Sequence, residues 1–152
     1  MLYILIPVLI FGTDWFLKRY VEEKKEEGCH EEILGGKILL RKSHNEGAML
    51  NFLEKRQQLV AGFSLGLSSA ILIGYLYLLG KKGMTLLKLG LGFVLGGALS
   101  NVYDRVVRKY VVDYFSFNVK WERVRRIVFN ISDLFIFLGS FFVILWNTRA
   151  KS

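Results

Sequence analysis

The sequence predicts a mainly α-helical integral membrane protein, with four transmembrane helices and a small extramembrane β element. Two observations predict this fold class. Of the 152 residues, 53% are hydrophobic, a share that is high for a soluble domain. The charged residues are concentrated between apolar runs of about 20 residues, the length that a helix needs to cross about 30 Å of hydrocarbon. Lipid is therefore the expected solvent for most of the chain.

Few charged residues lie inside the apolar runs, and the charged segments between the runs give the limits of each predicted span. The second run has no charged residue, the third has only Lys88 near its start, and the fourth has only Asp133. The first run is charged only from Asp14 onwards. A cleaved signal peptide is the rival interpretation of that run, but the basic start and the small-residue cleavage site are missing. The predicted spans are residues 2–20, 59–79, 86–103 and 127–146.

The stretch from residue 21 to 58 is predicted to form the extramembrane β element. Within it, ILGGKILLRK has the composition of a strand or hairpin that turns at Gly35 and Gly36. Later in the chain, VVDYFSFNV is rich in β-branched and aromatic residues. The basic KWERVRR that follows it is typical of a segment at the membrane interface. Together with the spans, these segments predict one transmembrane domain over residues 1–152.

Glycine spacing makes a prediction about helix packing. The link at residues 80–83 is short, so the second and third spans are expected to be antiparallel neighbours. Gly62 with Gly66 and Gly92 with Gly96 have small-xxx-small spacing, which is typical of closely packed membrane helices. The sequence therefore predicts glycine-mediated packing between these two spans.

Composition argues against several classes of site. Cys29 is the single cysteine, and the two histidines are too few for a histidine metal centre unless carboxylates complete it. No metal and no cofactor is predicted. The net charge is +8, but the basic residues occupy short loops instead of a soluble basic face. Anionic membrane lipids, and not nucleic acid, are therefore the expected charged partner.

Membrane orientation follows from the distribution of basic residues. Residues 21–58 and 104–126 hold fourteen lysines and arginines, against four in residues 80–85 and 147–152. By the positive-inside rule, both larger loops would lie in the cytoplasm.

The placement of aspartate is the most informative feature of the sequence. The chain has only four, Asp14, Asp104, Asp113 and Asp133, and each lies in or beside an apolar segment, whereas all nine glutamates are in loops. An aspartate near the bilayer centre costs about 2.5 to 3.5 kcal/mol on insertion scales. Ion pairing with Lys18, four positions after Asp14, and with Arg105, adjacent to Asp104, would account for two of them. A functional role is equally compatible with these two.

Asp113 and Asp133 have no basic residue within three positions, and pairing with each other is the alternative. Two carboxylates held close together share a proton, because both cannot ionise cheaply. An aspartic protease uses such a pair, with the ionised member activating water and the protonated member binding the scissile carbonyl. A proton-coupled transporter is equally compatible with two buried aspartates, so burial and rarity do not choose between the two functions.

Five motifs around these residues resemble those of lipoprotein signal peptidase, also called signal peptidase II, and they occur in the same order. DWFLK resembles the DxxTK or DxxSK element, HNEGAML resembles NxGAAF, and GGALSNVYDR resembles GGAxGNxxDR. VVDYF resembles VVDF, and FNISD resembles FNxAD. The matching residues are Asp14, Lys18, Asn45, Gly47, Ala48, Gly96, Gly97, Ala98, Asn101, Asp104, Arg105, Asp113, Asn130 and Asp133.

The resemblance implies an intramembrane aspartyl protease that cuts the peptide bond just before the diacylglyceryl-modified cysteine of a bacterial prolipoprotein. It implies that Asp113 and Asp133 are the catalytic pair, and that the protein is a multi-pass protein of the bacterial cytoplasmic membrane with its active site near the outer face. No cofactor is implied, and a monomer is expected. The residues implied to support the pair or to bind substrate are Asp14, Lys18, Asn45, Gly47, Asn101, Asp104, Arg105 and Asn130.

Several positions depart from the family pattern. Leu17 stands where the family has Thr or Ser, Ser100 replaces a glycine, Ser132 replaces an alanine, and Met49 and Leu50 replace Ala-Phe. Both aspartates of the pair are kept. These departures keep open a divergent paralogue that binds lipidated segments without cutting them, and a small proton-linked transporter remains the third hypothesis.

Overall fold

The computed structural model describes residues 2–47 and 56–150. Ala48, Met49 and Leu50 of the second motif lie outside the described residues. Within the described residues, five helices and three strands follow one another: α1 (Leu2–Lys24), β1 (His30–Ile33), β2 (Ile38–Asn45), α2 (Gln57–Leu79), α3 (Thr85–Val107), β3 (Val111–Phe117), α4 (Glu122–Arg125) and α5 (Ile131–Ala150).

Three of the described helices, α2, α3 and α5, are long and apolar enough to cross a membrane. Helix α1 is also long, at 23 residues, but it contains Asp14, Lys18 and Arg19. The helical fold class is confirmed, while the fourth span stays a prediction. Helix α5 begins at Ile131, later than the predicted start at residue 127, because Phe129 forms a β-bridge with Phe115 of β3.

Helix α3 is central to the bundle, and its glycines allow close contact with two neighbours. A Cβ on Gly97 would overlap the carbonyl oxygen of Ser132, and one on Gly139 of α5 would lie 2.5 Å from the carbonyl oxygen of Gly90. The backbones of α3 and α5 therefore touch at two levels. This contact brings the first turn of α5 against the C-terminal half of α3.

The prediction that the second and third spans are neighbours is confirmed, because α2 packs against α3, but a direct contact between their glycine pairs is wrong. Apart from the adjoining residues and the nearby backbone of α2 itself, no described heavy atom lies within 4 Å of a Cβ built on Gly62 or Gly66. Gly96 approaches Pro7 and Ile10 of α1, whereas Gly92 does face α2, where it approaches the hydroxyl of Tyr75. Glycine spacing indicates a helix face that can pack closely, but it does not identify the partner helix.

The three strands form one antiparallel sheet in the order β1-β2-β3. The predicted hairpin is confirmed, with Gly35 and Gly36 at positive φ in its turn, a conformation that glycine adopts without steric cost. Strand β3 comes from the later VVDYFSFNV segment and pairs with β2, so that Asp113 lies opposite Ser43. The β element thus extends beyond residues 21–58. Its pairing brings Asp113 close to Asn45.

Candidate active site

Asp113 lies on β3, within a run of four buried residues that starts at Val111. Its side chain is 5% exposed. Asn45, at the end of the neighbouring strand, donates from Nδ2 to Oδ2 of Asp113 over 3.2 Å. Asn130 donates from Nδ2 to Oδ1 of Asp113 over 2.7 Å. Both carboxylate oxygens therefore have a hydrogen-bond donor from a different part of the chain.

Asp133 lies in the first turn of α5, where it forms a reciprocal cap with Asn130. The backbone N–H of Asp133 donates to Oδ1 of Asn130 over 3.0 Å, and the backbone N–H of Asn130 donates to Oδ2 of Asp133 over 3.1 Å. This arrangement is a capping box. Asn101 of α3 donates from Nδ2 to Oδ1 of Asp133 over 3.0 Å. The helix N-terminus and α3 together hold this carboxylate in place.

Asn130 joins the two aspartates, because it donates to both carboxylates with different groups. Burial, and then the negative charge of Asp133, raise the pKa of Asp113 to about 7, against the opposing effect of the two asparagine hydrogen bonds. Two nearby carboxyl groups of this kind titrate as a pair and share one proton near neutral pH. Such a pair can both take a proton from water and give one to a reacting group.

Lys18 is the centre of a buried ionic cluster beside the aspartates. Its ammonium group lies 2.8 Å from Oδ2 of Asp14 and 2.9 Å from Oδ2 of Asp104, and it donates to Oδ1 of Asn101 over 2.8 Å. The ion pair predicted between Asp14 and Lys18 is confirmed. Because an ammonium group can only donate, Asn101 presents its oxygen to Lys18 and its NH₂ group to Asp133.

The ion pair predicted between Asp104 and Arg105 is wrong. Asp104 pairs with Lys18 and, over 3.4 Å, with Arg108. Residues four apart share a helix face, whereas adjacent residues do not. Arg105 instead donates to the carbonyl oxygens of Asn101 and Gly47, over 3.3 and 3.1 Å. The charge of Arg105 acts on both Asp113 and Asp133.

All ten predicted site residues lie in one connected set of hydrogen bonds and ion pairs. Gly47 takes part through its backbone, since its N–H donates to Oδ1 of Asn45 over 3.2 Å. The ten residues are Asp14, Lys18, Asn45, Gly47, Asn101, Asp104, Arg105, Asp113, Asn130 and Asp133.

A cavity of about 320 Å³ opens onto the aspartate pair. Asp113, Asp133 and Arg105 contribute its polar wall, and Ile136 and Phe137 of α5 contribute to its apolar wall. Among the described residues, no group of three or more His, Cys, Asp or Glu side chains could hold a metal ion.

Sequence reasoning missed three hydroxyl groups that belong to the same network. Tyr114, Ser100 and Ser132 each donate a hydrogen bond to the carboxylate of Asp14. A signal was present in the sequence, because each of the three is adjacent to a predicted site residue. The shared acceptor lies far away along the chain, so the sequence alone did not indicate it.

A helical bundle in which one buried and one partly buried carboxyl group face the same cavity is the arrangement expected of an intramembrane aspartic peptidase. Comparison with known proteins identifies the group within this class. A model of the family described as signal peptidase (SPase) II matches residues 6–149. The chain belongs to the signal peptidase II family, and it is a peptidase.

Similar proteins cover nearly the whole chain. The lipoprotein signal peptidase of Clostridioides difficile is 34% identical over 96% of this chain and 94% of its own length. That of Bacillus subtilis is 32% identical over 91% and 88%. A solved structure of a bacterial membrane enzyme has a TM-score of 0.82 at 24% identity, covering 99% of this chain and 89% of its own. The last comparison shows a common fold, and the family resemblance carried by the five motifs is confirmed.

Proposed function

We propose that this protein hydrolyses the peptide bond just before the diacylglyceryl-modified cysteine of bacterial prolipoproteins, with Asp113 and Asp133 as its catalytic pair. The signal peptidase II family removes signal peptides from prolipoproteins, and the relatives named above carry that activity in their names. One observation carries the assignment of residues: both carboxyl groups line the same cavity and accept hydrogen bonds from the same residue, Asn130.

We assign different protonation states to the two aspartates from the groups that contact them. Asp133 lies at a helix N-terminus and accepts a backbone N–H there, which stabilises a negative charge. The pKa of Asp113 is raised to about 7, so its carboxyl group is largely neutral below neutral pH. Asp133 is therefore the base that takes a proton from the attacking water. Asp113 is the acid that binds the scissile carbonyl and then assists the departing amine.

The remaining site residues support this pair. Asn101 and Asn130 orient the two carboxyl groups, and Lys18 orients Asn101. Arg105 supplies a positive charge that balances the single negative charge of a pair sharing one proton.

The experiment that tests this function measures cleavage in detergent or liposomes of a prolipoprotein with and without the diacylglyceryl group. We expect product only from the modified substrate, with the new N-terminus at the modified cysteine. The rate constant is expected to fall as pH rises through about 7, because Asp113 then loses the proton that it must donate. A rate that is constant from pH 6 to 9 would contradict the role given to Asp113.

Two other results would contradict the proposal as a whole. Tight binding of the modified substrate without any product on prolonged incubation would indicate the divergent binding paralogue. Proton flux across liposomes, without hydrolysis, would indicate a transporter.

The family resemblance also supports a location in the bacterial cytoplasmic membrane, with the active site near the outer face and α1 as the fourth span. The charge distribution along the sequence favours the opposite orientation. Asp14 and Lys18 of α1 are fully buried and paired with each other, which lowers the cost of placing them in a membrane. The outward orientation is therefore part of the proposal.

The single cysteine allows a direct test of this orientation. Cys29 is exposed in the link between α1 and β1. We expect a membrane-impermeant maleimide to label it in spheroplasts. The matched control is a Cys29→Ser chain that carries Lys82→Cys in the exposed α2–α3 link, where labelling is expected only after lysis. The reverse labelling pattern would establish the orientation that the charge count favours.

The segment around α4 supports contact with anionic lipids. Trp121 is 78% exposed at the start of α4, and the neighbouring Arg123, Arg125 and Arg126 are exposed as well. An exposed indole ring beside several guanidinium groups suits the headgroup region of an anionic bilayer. This segment would hold the mouth of the cavity, which Arg126 also lines, at the membrane surface.

A further inference from the structure

The carboxylate of Asp14 is fully buried and collects hydrogen bonds from three elements of the fold. Ser100 of α3 and Ser132 of α5 donate to its Oδ2 over 2.6 and 2.7 Å, and Tyr114 of β3 donates to its Oδ1 over 2.9 Å. With Lys18, four donors surround one carboxylate. Because charge-assisted hydrogen bonds are about twice as strong as neutral ones, this carboxylate connects α1, α3, α5 and β3 rigidly.

The Tyr114 hydroxyl has a second role. Besides donating to Asp14, it accepts the backbone N–H of Ile131 over 2.9 Å. Ile131 is the first residue of α5, and the N–H groups of the first helical turn have no partner within the helix. Tyr114 follows Asp113 directly on β3, and Ile131 lies two residues before Asp133. This hydroxyl therefore connects the strand that carries one aspartate to the helix start that carries the other.

Ser100 and Ser132 reinforce the same connection from α3 and α5. Ser100 accepts from Lys18 over 3.3 Å while it donates to Asp14, and it directly precedes Asn101, which holds Asp133. Ser132 lies one residue before Asp133. Both serines stand where the family pattern has a residue without a hydroxyl group, and the structure gives them one common acceptor. The departures from the family pattern at Ser100 and Ser132 are therefore connected through Asp14.

We propose that Tyr114, Ser100 and Ser132 are positioning residues for the Asp113–Asp133 pair. They act through Asp14 and Lys18, and they set the spacing and orientation of the two carboxyl groups by fixing the N-terminus of α5 against β3 and α3. This inference rests on the proposed function only for its effect on catalysis. Its structural part, the anchoring of the α5 N-terminus, can be measured without any substrate.

The first measurement is amide hydrogen exchange of residues 129–133 in detergent. Tyr114→Phe removes the acceptor of the Ile131 N–H, and we expect that amide to exchange about tenfold faster, as for the loss of one hydrogen bond. Tyr75→Phe is the matched control, because the Tyr75 hydroxyl is also buried but donates to the carbonyl oxygen of Tyr3, away from the aspartates. Equal exchange at Ile131 in both variants would overturn the inference, whether or not the protein cleaves a substrate.

The second measurement is the steady-state kinetics of the variants. We expect Tyr114→Phe to lower kcat about tenfold to a hundredfold with little change in KM, because a small displacement of catalytic groups has an effect of that size. The pH at which the rate is half-maximal should also move, because the spacing of two carboxyl groups sets their coupling. Ser132→Ala, a smaller change that leaves the Tyr114 bond in place, should show a weaker effect in the same direction.

Control variants separate positioning from general destabilisation. Tyr75→Phe and Ser68→Ala each alter a buried residue of α2, and both should keep the wild-type kcat and pH profile. If Tyr114→Phe and Ser132→Ala leave kcat and the pH profile as these controls do, the positioning role is wrong. If the wild-type chain itself cleaves nothing, the proposed function fails, while the hydrogen-exchange result still decides the structural part.

Discussion

Asparagine in place of Asp113 or Asp133 is expected to reduce cleavage of a lipid-modified prolipoprotein by at least about a thousandfold. An amide has nearly the shape of a carboxyl group, but it can neither take a proton from water nor give one to the departing amine. General acid–base catalysis contributes about 10²- to 10⁴-fold per group. The rate is measured as product formed per folded protein at saturating substrate, with folding followed by thermal unfolding in detergent.

A double variant makes this test more specific, because the losses of rate caused by substituting two groups that act as a unit are not additive. Asp113→Asn combined with Asp133→Asn should be about as inactive as either single variant. Glu22→Gln is a suitable control, since Glu22 bonds to Lys42 and His44 beside the same sheet and should leave cleavage nearly unchanged. Full activity in either single aspartate variant would disprove the assignment of the pair.

Lys18→Met is expected to lower the free energy of unfolding by about 3 to 5 kcal/mol. Lys18 is 1% exposed and pairs with Asp14 and Asp104, which are also fully buried. Removing the ammonium group would leave two carboxylates without their shared cation, and an uncompensated buried charge has a cost of this size. The change is measured as the shift in thermal or denaturant unfolding in detergent.

Arg19→Met is the matched control for this prediction. Arg19 pairs with Glu23 on the same helix over 2.8 Å, but both side chains are more than half exposed. Exposed pairs four residues apart contribute at most about 0.5 kcal/mol. Equal losses of stability in the two variants would show that burial does not account for the strength of the Lys18 cluster.

The helices could be predicted from the sequence because hydropathy is a local property. A run without charge defined α2 closely, a run charged only at Lys88 defined α3, and the glycine pair at residues 35 and 36 defined the hairpin turn. The start of α5 and the position of β3 could not be predicted in the same way. Both depend on pairing between distant segments, Phe115 with Phe129 and Asp113 with Ser43, and no local pattern indicates that register.

The sequence alone indicated the two aspartates, because placing a carboxyl group in an apolar segment costs free energy and requires an ion-pair partner or a function. Local helix geometry likewise predicted the Asp14–Lys18 pair. Only the tertiary structure decided which distant side chains contact one another. Lys18 also pairs with Asp104, and Asn130 donates hydrogen bonds to both aspartates of the proposed pair. Three hydroxyl groups donate to Asp14. Those contacts depend on how closely α3 packs against α1 and α5, which is set by backbone approach at glycines such as Gly96 and Gly97.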